Sequence, residues 1–214
     1  FDDEVRGTGG ANILLGQDEV GSGCALAAQG RHFAAETAVR PVTRKGASIE
    51  GFGDVHLASL AVRDAGGLPL SSESVTASIA EVAAGAIASG RHVLAHVVHG
   101  SKTGLGLPDL AGIDELRAMF GDRISIVVDA CQARIEPHQL RGYLDRQAVV
   151  LLTGSKFIGG PPFSGFALVP RALAPERRLA AGLAEVFRRG ELPVDWSGCD
   201  HLPGGTNSGL LLRI

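Results

Sequence analysis

The sequence predicts an α/β fold in which a mostly parallel sheet is flanked by helices, and three observations indicate it. Two apolar runs, Ile124–Val128 and Ala148–Leu152, are rich in β-branched and leucyl residues, as buried parallel strands are. Each run stops abruptly at polar side chains. Stretches with helical spacing of apolar residues separate the apolar runs through the centre of the chain. Such alternation favours parallel strands joined by helical crossovers.

Up to Leu70 the sequence predicts short elements joined by glycine-rich turns. Residues 1–11 are polar and rich in glycine, so we expect a loop or a frayed end. Turn-forming residues at 18–23 and the pair Gly66-Gly67 separate the apolar stretches. The predicted elements are a strand at Asn12–Leu15, a helix at Ser22–Gln29 that ends at Gly30, one or two short strands within residues 34–53, and two strands around the Gly66-Gly67 turn within His56–Leu70.

From Ser71 onward the predicted elements are longer. Ser71 and Ser72 can cap a helix, because a seryl hydroxyl accepts a hydrogen bond from an exposed backbone N–H group. Apolar residues then recur at helical spacing as far as Gly90. The remaining predicted elements are strands at His92–His99, Ile124–Val128, Ala148–Leu152 and Phe163–Val169, and helices at Leu110–Phe120, Pro137–Leu144 and Pro175–Arg188; residues 192–214 are predicted to be irregular apart from Leu210–Arg213.

Composition and charge narrow the classes of partner. The net charge of -3 gives no electrostatic reason to expect binding to nucleic acid or to an anionic membrane. No apolar run approaches the ~20 residues that a membrane-spanning helix needs. Three separate cysteines without a C-x-x-C pair indicate a reduced, cytoplasmic compartment and no structural zinc. We also expect no metal at His92, His96 and His99, because on a strand the first two face away from the third.

Polar side chains follow directly after the two central apolar runs. Asp129 and Gln132 follow the first run, and Thr153, Ser155 and Lys156 follow the second. Parallel strands end at one edge of their sheet, where open α/β sheets bind ligands, so these side chains are expected to share one crevice. An acid, an amide and an amine in one crevice can hold a pyridine ring and form an imine with its aldehyde.

Residues 127–170 resemble the cofactor core of pyridoxal-phosphate (PLP) enzymes with the aspartate-aminotransferase fold, also called fold type I. The family pattern is Asp-x-x-Gln, then about two dozen residues, then Ser-x-His-Lys followed by Gly-Pro. This chain has Asp129-Ala130-Cys131-Gln132, then Thr153-Gly154-Ser155-Lys156 and Gly160-Pro161. The pattern is most similar to the class V branch, which includes cysteine desulfurases and kynureninase-like enzymes. A looser similarity extends from about Asn12 to the end of the chain.

The resemblance implies a three-layer α/β/α large domain and a role for each motif residue. Asp129 would keep the pyridine nitrogen protonated, and Gln132 would bind the ring hydroxyl oxygen. Lys156 would form the Schiff base with the cofactor. Thr153 and Ser155 would donate to the phosphate. Because a lysine must lose its proton to react, we expect it to be desolvated by apolar neighbours, namely Leu151, Leu152, Phe157 and Ile158.

The chain departs from the class V pattern at two histidine positions. Ser155 replaces the histidine that precedes the lysine, and a second hydroxyl there can still donate to phosphate. Val20, which follows Glu19, replaces the histidine that would stack on the ring, and it can cover one ring face by dispersion.

Two further segments match parts of the family site. The family places a polar side chain near the ring hydroxyl, and the candidates here are His99, Ser101 and Lys102. Lys102 is also a competitor for the Schiff base. Thr206, in the stretch GGTNSG, matches the residue that reaches the phosphate of the partner subunit in the family's dimers.

The resemblance therefore implies a PLP-dependent, homodimeric, cytoplasmic enzyme that acts on an amino acid, such as an aminotransferase or a carbon–sulfur lyase. Residues 1–190 would be a large cofactor-binding domain that lacks its amino-terminal part, and residues 191–214 would lead toward a small domain. The 214 residues alone are expected to bind PLP weakly and to be inactive. Two alternatives are a non-catalytic or truncated module of the same fold, and an unrelated α/β domain that binds a small ligand.

Overall fold

The computed structural model describes residues 10–17, 19–37, 39, 42–52, 55–161, 164–175 and 177–205. Within these residues seven strands form one sheet that helices flank, so the predicted α/β fold is confirmed. None of the described helices is both long and apolar enough to cross a membrane. The strands are β1 (Gly10–Leu15), β2 (His56–Leu60), β3 (His92–His99), β4 (Gly106–Leu107), β5 (Ile124–Asp129), β6 (Val149–Thr153) and β7 (Gly165–Leu168). The α-helices are α1 (Cys24–Ala27), α2 (Ser72–Ala88), α3 (Leu110–Phe120) and α4 (Pro137–Asp145).

The order of strands across the sheet contains a reversal that matters for function. The order is β2-β1-β3-β5-β6-β7, with β4 paired to β3. Strands β1, β2, β3, β5 and β6 are parallel, whereas β4 and β7 are antiparallel to their neighbours. The chain passes from β1 outward to β2 and then returns to the other side of β1 to form β3. Open α/β sheets bind ligands at the carboxyl ends of the strands that flank such a reversal.

One face of the sheet is buried beneath α2, α3 and α4. Ile13, Ala95 and Ile126 lie side by side on neighbouring strands, and each is at most 1% exposed. They belong to one hydrophobic core with Ile79 of α2 and Ile113 of α3. Removal of this apolar surface from water is the main term that stabilises the sheet–helix contact.

The opposite face of the sheet is covered in another way. Leu94, Val127 and Val149 form a smaller apolar cluster with Leu173, which lies in the 3-10 helix Arg171–Leu173. A further cluster joins the following segment to residues beyond 191, and its buried members are Leu179, Trp196, Cys199 and Leu202. Part of the segment 191–214, which was predicted to lead toward a small domain, therefore packs onto the rest of the described chain. The domain boundary at residue 190 stays a prediction.

The helix predicted at Pro175–Arg188 is wrong. Its described part contains only a 3-10 helix at Ala181–Glu185, preceded by Ala180 in an extended conformation. The N–H groups of Leu179 and Gly182 donate to the carbonyls of Gly198 and Glu50 at 3.0 and 2.9 Å. Tertiary partners thus replace the i−4 carbonyls that an α-helix would supply.

Other local predictions also differ from the structure. The described part of residues 34–53 forms no strand, and only an isolated bridge joins Ser48 to Arg31. After Gly66-Gly67 the second strand is reduced to a bridge between Arg63 and Pro69. Strand β4 was not predicted, because two residues are too few to show a periodic pattern. Thr206 and the segment Leu210–Arg213 lie outside the described residues.

Ile126→Ala tests the core that holds the sheet to its helices. Ile126 is 0% exposed, so its truncation leaves a cavity and should lower the free energy of unfolding by about 2–5 kcal/mol. The same substitution at Ile158, which is 68% exposed, is the matched control and should change it by less than about 0.5 kcal/mol. Urea unfolding measures both, and equal effects would contradict this description of the core.

Candidate functional site

A small cleft opens at the carboxyl ends of β1, β3, β5 and β6. It encloses about 200 Å³, including its opening to solvent. The turns that follow these four strands all contribute to it, and it flanks the reversal between β1 and β3. The residues that line it are Glu19, Val20, Gly21, Gly100, Ser101, Asp129, Cys131, Gln132 and Lys156.

Asp129 is the last residue of β5, and its side chain is half-buried. Side chains two residues apart on a strand share a face, and Val127 belongs to the smaller apolar cluster, so the Asp129 carboxylate lies on the face of the sheet opposite the main helices. The backbone N–H of Cys131 donates to Asp129 Oδ1 at 3.0 Å. This local bond fixes the orientation of the carboxylate at the cleft. Gln132 follows in the same turn and also lines the cleft.

Cys131 lies inside the sequence motif and lines the cleft, so the pKa of its thiol depends on the charges nearby. Burial, the negative charge of Asp129 and a hydrogen bond with that carboxylate together raise the pKa of its thiol to about 12. The positive charge of Lys156 acts in the opposite direction. Asp129 and Lys156 therefore both act on the same thiol, as members of one compact site should.

Lys156 lines the cleft but is exposed. The expected apolar enclosure is wrong, because Phe157 and Ile158 are 65% and 68% exposed and Leu152 packs into the main core. The loop turns sharply after β6, where the N–H of Gly160 donates to the carbonyl of Gly154 at 2.7 Å. Phe157 and Ile158 lie within this turn, and both side chains are exposed.

The two hydroxyls predicted to bind phosphate form hydrogen bonds within the loop that follows β6. Thr153 Oγ1 donates to the carbonyl of Ser164 at 2.5 Å. Because a hydroxyl has one hydrogen, Ser155 must be the donor in the 2.9 Å hydrogen bond between the two side chains. Neither residue is among those that line the cleft. The Ser155 hydroxyl can donate to an anion only if its hydrogen bond to Thr153 is broken.

Val20 and Ser101 line the cleft from the turns after β1 and β3. Val20 is 4% exposed, which suits a side chain that covers one face of a flat ligand. The Ser101 hydroxyl donates to Glu19 Oε2 at 2.7 Å and accepts from the N–H of Leu105 at 3.0 Å. Its hydrogen is therefore used within the protein.

The alternatives to Ser101 lie elsewhere. His99 belongs to the face of β3 that packs on α4, and its Nδ1 lies 2.9 Å from the hydroxyl of Tyr143. Burial lowers the pKa of His99, with opposing hydrogen bonds from Gln139 and from the backbone of Arg134. The Lys102 side chain is exposed and does not line the cleft.

Glu19 also lines the cleft, and the sequence motif assigned it no role. Its carboxylate is buried and accepts hydrogen bonds from Ser101, Thr103 and Arg63. Burial raises the pKa of Glu19, but these hydrogen bonds outweigh burial and leave the pKa below its ordinary value. The available signal was the acidic pair Asp18-Glu19 in a glycine-rich turn after a strand.

His96 lies on the same face of the sheet as Asp129, deeper in β3. Its Nε2 is buried and has no hydrogen-bond partner within the described residues. Burial lowers the pKa of His96 to about 4, so the ring is neutral at neutral pH. In the described parts of the chain, no three His, Cys, Asp or Glu side chains are placed to hold a metal ion.

No protein-family profile and no curated protein matches the sequence. Solved structures similar to the chain include the Sphingomonas wittichii serine palmitoyltransferase, with a TM-score of 0.45 and 15% identity over 77% of this chain and 33% of that one. A structure of SPT with PLP has a TM-score of 0.45 and 14% identity over 78% and 34%. A protein described as a histidinol-phosphate aminotransferase, from Erwinia carotovora atroseptica, has a TM-score of 0.43 and 14% identity over 76% and 40%. The chain thus spans about a third of the length of the first two.

Asp129→Asn tests the electrostatic coupling within the cleft. The substitution removes the negative charge and the carboxylate hydrogen bond that help to raise the pKa of Cys131, so more thiolate should form. Alkylation of Cys131 by iodoacetamide at mildly alkaline pH, followed by mass spectrometry, should become faster. Asp122→Asn, on the exposed turn before β5, is the control and should leave the rate unchanged. An unchanged rate in Asp129→Asn would place the two side chains apart.

Proposed function

We propose that this chain is the cofactor-binding part of a PLP-dependent enzyme that acts on an amino acid. One observation carries the proposal: an acid, an amide and an amine from the ends of two neighbouring parallel strands line a single cleft. These residues are Asp129, Gln132 and Lys156. This donor set suits a pyridine ring that bears a hydroxyl and an aldehyde, because each polar group of the ring meets a complementary side chain.

The residues present fit the ring of the cofactor. The carboxylate of Asp129 is oriented by the N–H of Cys131 and remains half-buried, which suits an ion pair with a ring nitrogen. Gln132 can donate from its amide to the ring hydroxyl oxygen. Val20, buried beside Gly21, supplies an apolar surface against which a ring can lie.

The residues present fit the phosphate group of PLP less well than they fit its ring. A fixed phosphate is usually bound by several N–H groups at a helix start as well as by hydroxyls. The Thr153 hydrogen is already donated to Ser164, which leaves Ser155 as the adaptable hydroxyl of this loop. Binding of the phosphate therefore requires the loop after β6 to exchange one internal hydrogen bond for one to the ligand.

When bound, PLP supplies an electron sink that stabilises negative charge at the α-carbon of an amino acid. Asp129 would hold a proton at the ring nitrogen, which strengthens that sink. The Lys156 Nζ would attach the cofactor and could then accept a proton from the substrate, since Lys156 lines the cleft and is exposed. The buried residues Val20 and Ser101 would exclude water from the opposite wall.

Within this proposal the motif favours a class V type of enzyme, either an aminotransferase or a carbon–sulfur lyase. A cytoplasmic homodimer, in which Thr206 completes the phosphate site of the partner, remains part of the proposal. Light scattering of the purified chain with and without PLP tests the oligomeric state.

A second candidate is a module that keeps the fold without catalysis. Two observations favour it: the Thr153 hydroxyl already donates to Ser164, and Lys156 is exposed. Both make the cleft less suited to bind a charged cofactor. A visible absorbance band that borohydride abolishes separates the two candidates. Absence of this band would favour the module.

The first test identifies the lysine that binds PLP. The chain is mixed with PLP, reduced with borohydride, digested and analysed by mass spectrometry. The pyridoxyl mass should be found on Lys156, because this amine lines the cleft with Asp129. Lys156→Ala should remove the label, and Lys102→Ala is the matched control that should keep it. Label on Lys102, or on no lysine, would refute the proposal.

The second test concerns the role of Asp129. Asp129→Asn should leave the borohydride label on Lys156 largely intact, because an amide still fits the cleft. Exchange of the α-hydrogen of added amino acids with deuterated water should slow by about a hundredfold or more, since an amide cannot hold the ring nitrogen protonated. Asp122→Asn serves again as the remote control. Equal exchange in Asp129→Asn and the unaltered chain would assign the ring nitrogen to another residue.

A further inference from the structure

Glu19 carries a buried carboxylate at the cleft, and the proposed chemistry gives it no task. Its side chain is 2% exposed, and Arg63 pairs with it at 3.0 Å. A buried charge destabilises a protein unless it is paired and hydrogen-bonded. An apolar residue at this position would need no charged or hydrogen-bonding partner. Packing alone therefore does not explain the carboxylate of Glu19.

The contacts of Glu19 converge on the turn that follows β3. Thr103 donates to Glu19 through its hydroxyl, at 2.9 Å to Oε2, and through its N–H, at 3.3 Å. Ser101 donates to Oε2 at 2.7 Å, and the N–H of Lys102 donates to the Glu19 carbonyl at 3.4 Å. One residue of the turn after β1 thus holds three consecutive residues of the turn after β3.

Arg63 closes the network from a third turn. Its Nη2 lies 3.0 Å from Glu19 Oε1 and donates to the Thr103 hydroxyl at 2.7 Å. Its Nη1 donates to the carbonyl of Gly67 at 2.8 Å. Three turns from separate strand ends are therefore joined through one carboxylate, and charge-assisted hydrogen bonds of this kind are about twice as strong as neutral ones.

The turn held by Glu19 is packed tightly against the segment that carries the proposed ring contacts. Gly100 has a φ of +59°, and a Cβ there would lie 3.1 Å from the carbonyl of Arg134. Gly100 and Ser101 line the same cleft as Asp129 and Gln132. A displacement of this turn would therefore change the width of the cleft.

We propose that Glu19 is the positioning residue of the cleft: through Ser101 and Thr103 it holds the wall formed by Gly100 and Ser101 at a fixed distance from Asp129 and Gln132. It does not touch the reacting atoms. The consequence for PLP affinity rests on the function proposed above, whereas the order of the wall does not.

Glu19→Gln is the variant that tests this role. An amide keeps the size of the side chain but removes the charge and replaces one acceptor oxygen with an NH2 group, which then meets side chains that donate to the carboxylate. Asp114→Asn is the matched control, because it also breaks an arginine–carboxylate pair, with Arg146 at 2.6 Å, on helices remote from the cleft. Thr103→Val is a milder variant that keeps Glu19 paired with Arg63.

The first readout needs no cofactor. Hydrogen–deuterium exchange at the N–H groups of Thr103 and Leu105, which donate to Glu19 and Ser101, should become about tenfold faster in Glu19→Gln. Thr103→Val should accelerate exchange at Leu105 by a smaller factor. Asp114→Asn should leave exchange at both positions unchanged. Unchanged exchange in Glu19→Gln, in a protein with intact helical circular dichroism, would overturn the inference.

The second readout is PLP affinity from an absorbance titration. Glu19→Gln should weaken it about tenfold, Thr103→Val less so, and the double variant no more than Glu19→Gln alone, because both act through one wall. Equal losses in Glu19→Gln and Asp114→Asn would reduce Glu19 to a general stabilising role and overturn the inference. If the unaltered chain binds no PLP, the proposed function fails, and the exchange readout alone decides the role of Glu19.

Discussion

Parallel pairing of β1, β3, β5 and β6 is the constraint on which the site depends. Backbone hydrogen bonds hold these strands in a register that pairs Val98 with Asp129 and Asp129 with Leu151. Their carboxyl ends therefore lie along one edge, and the turns that follow them meet although they are far apart in sequence. The core beneath α2 and α3 keeps this register, since a slip by one residue would turn the apolar side chains outward.

The cleft contains two carboxylates that the protein treats differently. Asp129 stays half-buried and is oriented by one local N–H group, which leaves it able to interact with a ligand. Glu19 is buried and saturated by hydrogen bonds from three side chains, so it is engaged within the protein. One carboxylate is thus suited to chemistry and the other to holding the walls together. The same residue type serves both purposes because the surroundings decide which atoms remain accessible.

The loop after β6 shows which features of a site a sequence motif can predict and which it cannot. The order Thr153, Ser155, Lys156 indicated a phosphate and Schiff-base site, and Lys156 does line the cleft. The hydroxyls, however, donate within the loop, and the neighbouring apolar side chains face solvent. Hydroxyl rotation and loop geometry depend on contacts such as the one with Ser164, which no local pattern contains.

The sequence by itself determined the strands and the longer helices of the central region, because periodicity and capping are local properties: Ser71 caps α2 as predicted, and β3 and β5 begin at the predicted residues. It also indicated that Asp129, Gln132 and Lys156 share a cleft, because parallel strands end at one edge. Only the tertiary structure decided the rest. In place of the helix predicted at Pro175–Arg188, backbone N–H groups of this segment donate to the distant carbonyls of Gly198 and Glu50. Glu19 has its hydrogen-bond partners because three turns lie close together in the fold. Such contacts join residues remote in sequence, so no local pattern could reveal them.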